Sequence, residues 1–427
     1  MNIHRSFLFL QGPHGPFFGQ LAQVLCRTGV SVWRVGFNAG DESFWSHDPG
    51  YLPFQQSPDA WPDGLAAILR DKSITDIVLY GDTRPIHAEA IRQARSAGLN
   101  VHVFEEGYLR PYWVTYEREG SNGNSRLMTF DVPQMQAHLA QQGRDLPVPP
   151  AHWGDMRQHI FYGALYHWFV MFRNRRYPHF CPHRALPVGT EARLYSQRLL
   201  MMPFHALGRA LATMRIKARG HPYHLALLQL EHDSSFQSHS PFHDMETFIE
   251  VVIAGFAKGA AADHHLVFKA HPLENGRKPL RRLIRLAARA HGIAGRVHYV
   301  RGGKLAHLLD TARSAVTVNS TAGQQVLWRG IPLRIFGTAV YDKPEFVSRQ
   351  PLPAFFADPQ APDQQAYHDF RQFLLETSQI PGGYYSAKGR RQLTQQLVAL
   401  MLAEQDPYSA RLSGGTPPAE HSPRLAS

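Results

Sequence analysis

The sequence predicts an α/β protein built from two halves, and three observations carry that expectation. Short apolar runs alternate with helix-like stretches over the first hundred residues, the same alternation resumes near Tyr223, and the segment between them is aromatic and basic instead. Strands that alternate with helices form a parallel sheet, because each crossover helix must return across a face of the sheet. At 427 residues the chain exceeds one ordinary core and suits two domains of roughly 150–200 residues each.

In the first half, taken as residues 1–152, strands are expected at 6–11, 31–37, 77–80 and 101–104, with helices at 16–27 and 86–97. Residues 153–220 read as a helical insertion or connector, in which six aromatic residues from Phe161 to Phe172 precede Arg173, Arg175 and Arg176. The second half, 221–345, is expected to hold strands at 225–230, 266–270, 297–300, 315–318 and 333–336. Its helices are placed at 245–258, 279–291, 304–310 and 323–328, and 346–405 reads as closing helices at 369–377 and 388–404. Residues 406–427, rich in Pro, Ser and Gly from Ser413 on, read as a disordered tail.

Composition narrows the function. A chain with 44% hydrophobic and 19% charged residues is globular. Two cysteines, Cys26 and Cys181, make no disulfide framework and no metal knuckle, which suits reducing cytosol. No apolar run approaches the roughly 18–20 residues of a spanning helix, and the Phe7–Leu10 run, ended by Gly12-Pro13, reads as a buried strand and not a signal peptide. A formal charge of +11 with 25 histidines favours anionic partners such as phosphate-bearing molecules or anionic lipid. Because the basic residues form no compact block or nucleic-acid motif, nucleic acid is not expected as a partner.

Candidate site residues fall where predicted strands end, the edge of a parallel sheet where ligands bind. Lys269-Ala270-His271-Pro272 ends one strand; the proline holds His271 extended and aims it outward, where it could hydrogen-bond a phosphate or a ribose. A capping histidine in a tight turn would give the same pattern. About fifty residues on, Asn319-Ser320-Thr321 leads into a helix, offering hydroxyls and backbone N–H groups to an anion or simply an ordinary cap. Gln229 and Asp233 end another strand of the same half, as ligand contacts or as a solvated loop.

In the first half, Glu105-Glu106-Gly107 leaves the fourth strand with Arg110 close behind. Adjacent strand residues face opposite ways, so one carboxylate can serve the fold while the other faces a cleft. Gly107 would let the backbone turn and a ligand approach, and Arg110 could bind anionic groups or keep a carboxylate ionised. A structural ion pair accounts for the cluster equally. The loop Gly12-Pro13-His14-Gly15 matches neither a Walker loop nor a dinucleotide fingerprint. With Asn38 and Asp41 it is expected to line the cleft. His264-His265 and the His179–His183 cluster lack full zinc ligand sets, and no Asp-x-Asp motif appears, so neither metal nor cofactor is expected.

Taken together these residues resemble the capsule polysaccharide synthesis family of bacterial β-Kdo transferases, the KpsS/LipB type. The resemblance is carried by Phe9–Pro13, Gly15–Phe18, Phe37-Asn38, Gly40-Asp41, Glu105–Arg110, Gln229–Asp233, Ser240–Phe242, Lys269–Pro272 and Asn319–Thr321. It implies a glycosyltransferase-B-like fold, two Rossmann-like domains facing a central cleft, and a CMP-Kdo donor. It implies further a phosphatidylglycerol-type lipid acceptor at the inner face of the cytoplasmic membrane, retention of configuration, and a β-Kdo linker on which a capsule chain is built by other capsule synthesis and export proteins. By motif, Lys269, His271, Pro272, Asn319, Ser320, Thr321, Gln229 and Asp233 would hold the nucleotide sugar. Glu106 would be the catalytic carboxylate, as nucleophile or base, with Glu105 and Arg110 beside it. Some relatives carry Asp where this sequence has Glu. The aromatic, basic stretch 153–176 suits an anionic membrane surface or, equally, a buried interdomain helix pair. Competing readings are a CDP-polyol phosphotransferase, which would not need the acidic pair, and a non-enzymatic assembly or export factor.

Overall fold

The computed structural model describes residues 5–45, 50–111, 113–139, 156–181, 188–274 and 276–412, and the chain divides into two units. The first takes residues up to Arg126, 137–183, and everything from Gln372 on; the second takes 127–136 and 184–371.

The first unit opens with β1 (Ser6–Phe9), α1 (Phe17–Cys26), β2 (Ser31–Gly36), α2 (Ala39–Ser43) and β3 (Tyr51–Pro53). It continues through α3 (Trp61–Asp71), β4 (Asp76–Tyr80), α4 (Pro85–Ala97), β5 (Asn100–Glu106) and β6 (Trp113–Arg118). After α5 (Val132–Leu139), which straddles the boundary, comes α6 (Met156–Phe172). The second unit holds α7 (Val188–Arg219), β7 (Tyr223–Leu227), α8 (Ser234–His239), α9 (Met245–Gly259), β8 (His265–Lys269), α10 (Leu280–Ala290) and β9 (Val297–Val300). Then follow α11 (Ala306–Leu309), β10 (Ala312–Thr317), α12 (Gly323–Leu327), β11 (Leu333–Ile335), α13 (Leu352–Ala357) and α14 (Gln364–Thr377). Within α14 the chain re-enters the first unit, which it completes with β12 (Gln379–Pro381), α15 (Ala387–Leu402) and α16 (Pro407–Leu412).

Both sheets have the predicted parallel core. The seven-stranded sheet runs β12-β6-β5-β4-β1-β2-β3, parallel except where β6 pairs antiparallel with β5 and β12. The five-stranded sheet, β11-β10-β7-β8-β9, is parallel throughout. Strands buried on both faces read as continuous apolar runs, which is why Phe7–Leu10, Ile77–Leu79 and Leu266–Phe268 announced themselves. In the first unit one core lies under α1 and α15 around Phe9, Phe17, Phe18, Phe104 and Leu397, and another under α3 and α4 around Leu8, Trp61, Ile77 and Ala90. The second unit packs α9, α10 and α13 on its sheet through Phe248, Val252, Ile284 and Phe355.

Several expected elements shift. The strands β3, β6 and β12 and the helix α3 were not expected. β6 hides its character because all six of its residues are buried, Glu117 and Arg118 included. Arg118 belongs inside because its guanidinium caps the carbonyls of Leu400, Ala403 and Glu404 at the end of α15. The expected 153–220 connector is no single body: α6 packs with the first unit and α7 with the second, since composition does not say what a helix packs against. The closing helices divide too, with residues from Gln372 on belonging to the first unit. Residues 406–412 are no disordered tail: α16 buries Tyr408, and Asp406 accepts from Arg126. Residues 413–427, and 153–155 of the aromatic stretch, lie outside the described residues.

Candidate functional site

In the second unit one register line sets the site. Leu227 pairs with Lys269 and with Thr317, and Lys269 pairs with Val300. The loops after β7, β8, β9 and β10 therefore leave the sheet at one level on one edge, each strand about 4.8 Å from the next. Lys269 is buried, its ammonium donating to the Ala270 carbonyl at 3.0 Å. Burial, and then the Arg209 guanidinium, push that ammonium down to about 8. His271 is half-buried; its Nδ1 accepts from the Leu273 N–H at 3.1 Å, which puts the ring proton on Nε2. Pro272 stands exposed beside it.

Sequence reasoning missed two contributors here. Arg209 projects from α7 onto the loop after β9, where a Cβ on Gly303 would stand 2.2 Å from its Cδ and where φ is +84°. Only glycine lets that backbone pass so close to the arginine. Arg301 is the second: a Cβ on Gly276 would lie 3.7 Å from its Nη2. The signal available was Arg301-Gly302-Gly303 at a strand end, where a Gly pair permits positive φ. The edge thus gathers Lys269, Arg209, His271 and Arg301.

The polar loops play different parts. Gln229 and Asn319 are buried and bonded to each other, Gln229 Nε2 donating to Asn319 Oδ1 at 2.8 Å and Asn319 N–H to Gln229 Oε1 at 2.9 Å. Asn319 Nδ2 also donates to the Ser235 carbonyl. These amides tie the ends of β7 and β10 together and have little capacity left for a ligand, which corrects their expected role as nucleotide contacts. Ser320 and Thr321 are half-buried, and Ser320 Oγ accepts from the Ala322 N–H. The expected helix N-terminal anion site is not formed, because α12 has only 5 residues and Ala322 at its N-cap. What remains is a pair of hydroxyls. Asp233 is exposed at the start of α8.

In the first unit β5 carries the carboxylates to the corresponding edge. Glu106 follows the parity of Phe104, which lies in the core under α1 and α15, so the two carboxylates do face opposite ways. Tyr80 donates to Glu106 Oε1 at 3.2 Å, and Tyr384 donates to the Glu105 carbonyl at 2.7 Å. Glu105 Oε1 accepts the Glu106 N–H at 3.0 Å. Burial, followed by the charges of Glu106 and Glu105, drives the phenols of Tyr80, Tyr384 and Tyr385 well above their ordinary range. They stay protonated, Tyr80 as a fixed donor to the Glu106 carboxylate and Tyr384 as a donor to the Glu105 backbone carbonyl. Tyr384 and Tyr385 lie some 280 residues from Glu106, so no local pattern could have found them. Arg110 is exposed, its Nε donating to the Gly107 carbonyl at 3.3 Å. Gly107 serves the hairpin rather than a ligand: a Cβ there would stand 2.1 Å from the Trp113 carbonyl oxygen.

The expected cleft-lining group needs correction. Asp41 is buried, accepting from Gln11, from the Phe37 N–H and from Tyr166, and pairs with Arg34 at 3.3 Å. Asn38 caps α2 and donates to Tyr166 at 2.8 Å. Pro13 and Gly15 are buried, with Gly15 against the Tyr162 ring, and half-buried His14 stacks on Tyr166 at 4.5 Å. Half-buried Gly12 abuts Phe18. This loop and α2 form the seat of α6, because burying Asp41 demands the donors that surround it. Among the described residues no group of three or more His, Cys, Asp and Glu is placed to hold a metal ion, and no helix is long and apolar enough to cross a membrane.

The chain is a two-unit α/β protein, one unit with a cationic strand-end edge and the other with a carboxylate pair beside buried phenols. The family described as capsule polysaccharide biosynthesis protein matches residues 75–385, and the chain belongs to that family. It is 31% identical over 386 residues to the capsule polysaccharide export protein KpsS of Escherichia coli, covering 89% of this chain and 97% of that one. It is 33% identical over 388 residues to the capsule polysaccharide modification protein LipB of Neisseria meningitidis serogroup A, covering 89% and 92%. Among solved structures, the beta Kdo 2,7 transferase of Thermosulfurimonas dismutans KpsC aligns with 86% of this chain and 99% of its own, at 11% identity and a TM-score of 0.38.

Proposed function

We propose that the chain is a retaining glycosyltransferase that moves β-Kdo from CMP-Kdo to a phosphatidylglycerol-type lipid, working without a metal at the inner face of the cytoplasmic membrane, and so begins the linker of a capsular polysaccharide. The observation that carries the reading is the second unit's edge, where a buried lysine beside Arg209 has its charge left unfavourable until an anion arrives. A CMP phosphate is such an anion. Lys269, Arg209 and His271 would take the phosphate and the hydroxyls of Ser320 and Thr321 the rest of the nucleotide, supplying the charge stabilisation a metal otherwise gives. Family membership supports the capsule context, and the motifs shared with β-Kdo transferases support the sugar.

Glu106 suits the nucleophile. Its carboxylate oxygen would attack the anomeric carbon as the bond to phosphate breaks and CMP leaves with the electron pair. The acceptor hydroxyl would then attack the same carbon, lose its proton to solvent or a base, and free the carboxylate. Two inversions give net retention. Tyr80 and Tyr385 would orient the carboxylate throughout.

The test is mass spectrometry of a defined phosphatidylglycerol acceptor after incubation with CMP-Kdo, with CDP-glycerol as a parallel donor. The reading expects one Kdo added and one CMP released. Transfer from CDP-glycerol instead, or no CMP release from a folded protein, overturns it; the latter outcome favours an assembly or export role.

A further inference from the structure

The helix α6 is apolar on both sides, and no acidic residue occurs from Met156 to Phe172. Its inner side is accounted for: Tyr166 bonds to Asn38 and Asp41, and Tyr162 packs on Gly15 and Phe44. Its outer side is not. Phe161 is 60% exposed, Trp168 43% and Phe172 66%, with Ile160 and Met171 exposed between them. Spacings of three, four and seven put these on one stripe of the helix. Basic residues bracket the stripe: Arg157 in the first turn, and Arg173, Arg175 and Arg176 just past the last.

At the first turn lies a pocket of about 350 Å³ lined by Arg157, Gln158, Phe161, Tyr162, Tyr385 and Arg390. Arg390 is buried and spends Nε on Gln20 and Nη1 on the Tyr384 and Tyr385 carbonyls. Among the described residues its Nη2 makes no hydrogen bond. Tyr385 also borders the carboxylate edge, since the charges of Glu106 and Glu105 help to push its phenol upward.

We infer that the outer face of α6 and this pocket form one docking site for an anionic phospholipid. The headgroup phosphate sits between Arg157 and the Nη2 of Arg390, and Phe161, Trp168 and Phe172 enter the acyl boundary of the bilayer. An apolar stripe bracketed by arginines complements an anionic interface, with aromatics at the boundary and guanidinium groups on phosphates. A second protein copy would have to bury those arginines against a surface of a chain that itself carries +11. The inference deepens the reading of a lipid acceptor and rests on it for its purpose; its test uses no donor.

Purified full-length protein is sedimented with vesicles of phosphatidylcholine alone and with about a third phosphatidylglycerol, and tryptophan quenching by brominated lipid is recorded. Binding is expected only with the anionic vesicles. Arg157→Glu should weaken partitioning roughly tenfold, and the pair Phe161→Ser with Trp168→Ser at least as much. Leu286→Ser, an exposed apolar site on α10, should change nothing, and Trp168→Phe should remove most of the quenching. Equal binding to neutral vesicles, or undiminished binding by the variants, overturns the inference. So does a lipid-free dimer dissolved by the Phe161/Trp168 pair, or a pocket that protects against arginine modification with glycerol phosphate while vesicles fail to bind. Vesicle binding without Kdo transfer would overturn the functional reading alone.

Discussion

At the carboxyl edge of the first sheet, Glu105 and Glu106 stand among phenols, with Tyr80 donating to the Glu106 carboxylate; at the same edge of the second, Lys269 stands with Arg209, His271 and Arg301. Both edges come from one construction, parallel strands ending at a common level, yet their electrostatics are opposite. The first supplies electron pairs held in place by neutral donors. The second holds positive charge that its own surroundings disfavour. The contrast teaches that the parallel sheet decides where a site is, whereas the chemistry depends on what the strand-end loops and distant helices bring there.

The comparison can be broken most directly at Glu106. Glu106→Gln should lower turnover at least a thousandfold while CMP binding stays within about threefold, measured by CMP release and by calorimetry. An equal loss in both would mean that the first unit's edge also binds the nucleotide. Lys269→Met should do the reverse, weakening CMP binding about ten- to a hundredfold, as befits one charge-assisted hydrogen bond, with a smaller change in turnover at saturating donor.

A buried carboxylate away from both edges sharpens the contrast. Glu117 on β6 has its pKa raised from 4.5 to about 8, mainly by burial, against the hydroxyls of Ser125, Tyr408 and Tyr108. The folded state therefore holds a proton that the unfolded chain releases, and Glu117 lowers stability as pH climbs from about 4.5 through 8. Glu117→Gln should flatten that slope and raise stability above pH 8 by on the order of 1–3 kcal/mol, read by denaturant titration at several pH values. The smallest expected effect is a fraction of a proton. An anion beside Lys269 restores its pKa from about 8 toward 10.5, so CMP binding should take up protons near pH 8–9 and none near pH 6. Calorimetry in buffers of different ionisation enthalpy reads this, and Lys269→Met should abolish it.

Much of this was legible locally. The doubly buried strands betray themselves as apolar runs, and the residues ending them, Glu106, Lys269, His271 and Ser320, were read from their place after those runs. The reading failed where residues answer to remote partners. Asp41 and Asn38 look like loop polars because nothing nearby shows Tyr166, well over a hundred residues on, reaching back to them. Gln229 and Asn319 look like ligand contacts until their mutual bonds appear. β6 looks unlike a strand because it buries Glu117 and Arg118, of which Arg118 is satisfied by helix carbonyls near residue 400.

By itself the sequence determined the parallel cores of the two α/β sheets and the strand ends that carry the candidate residues, because periodicity and burial act over a few neighbouring residues. Only the tertiary structure decided which helix joins which unit, which polar side chains are consumed in holding loops, and that Arg209 and Tyr385 complete the two edges. Those outcomes depend on groups distant in the chain meeting in low-dielectric surroundings, where each must find a partner or have its ionisation displaced.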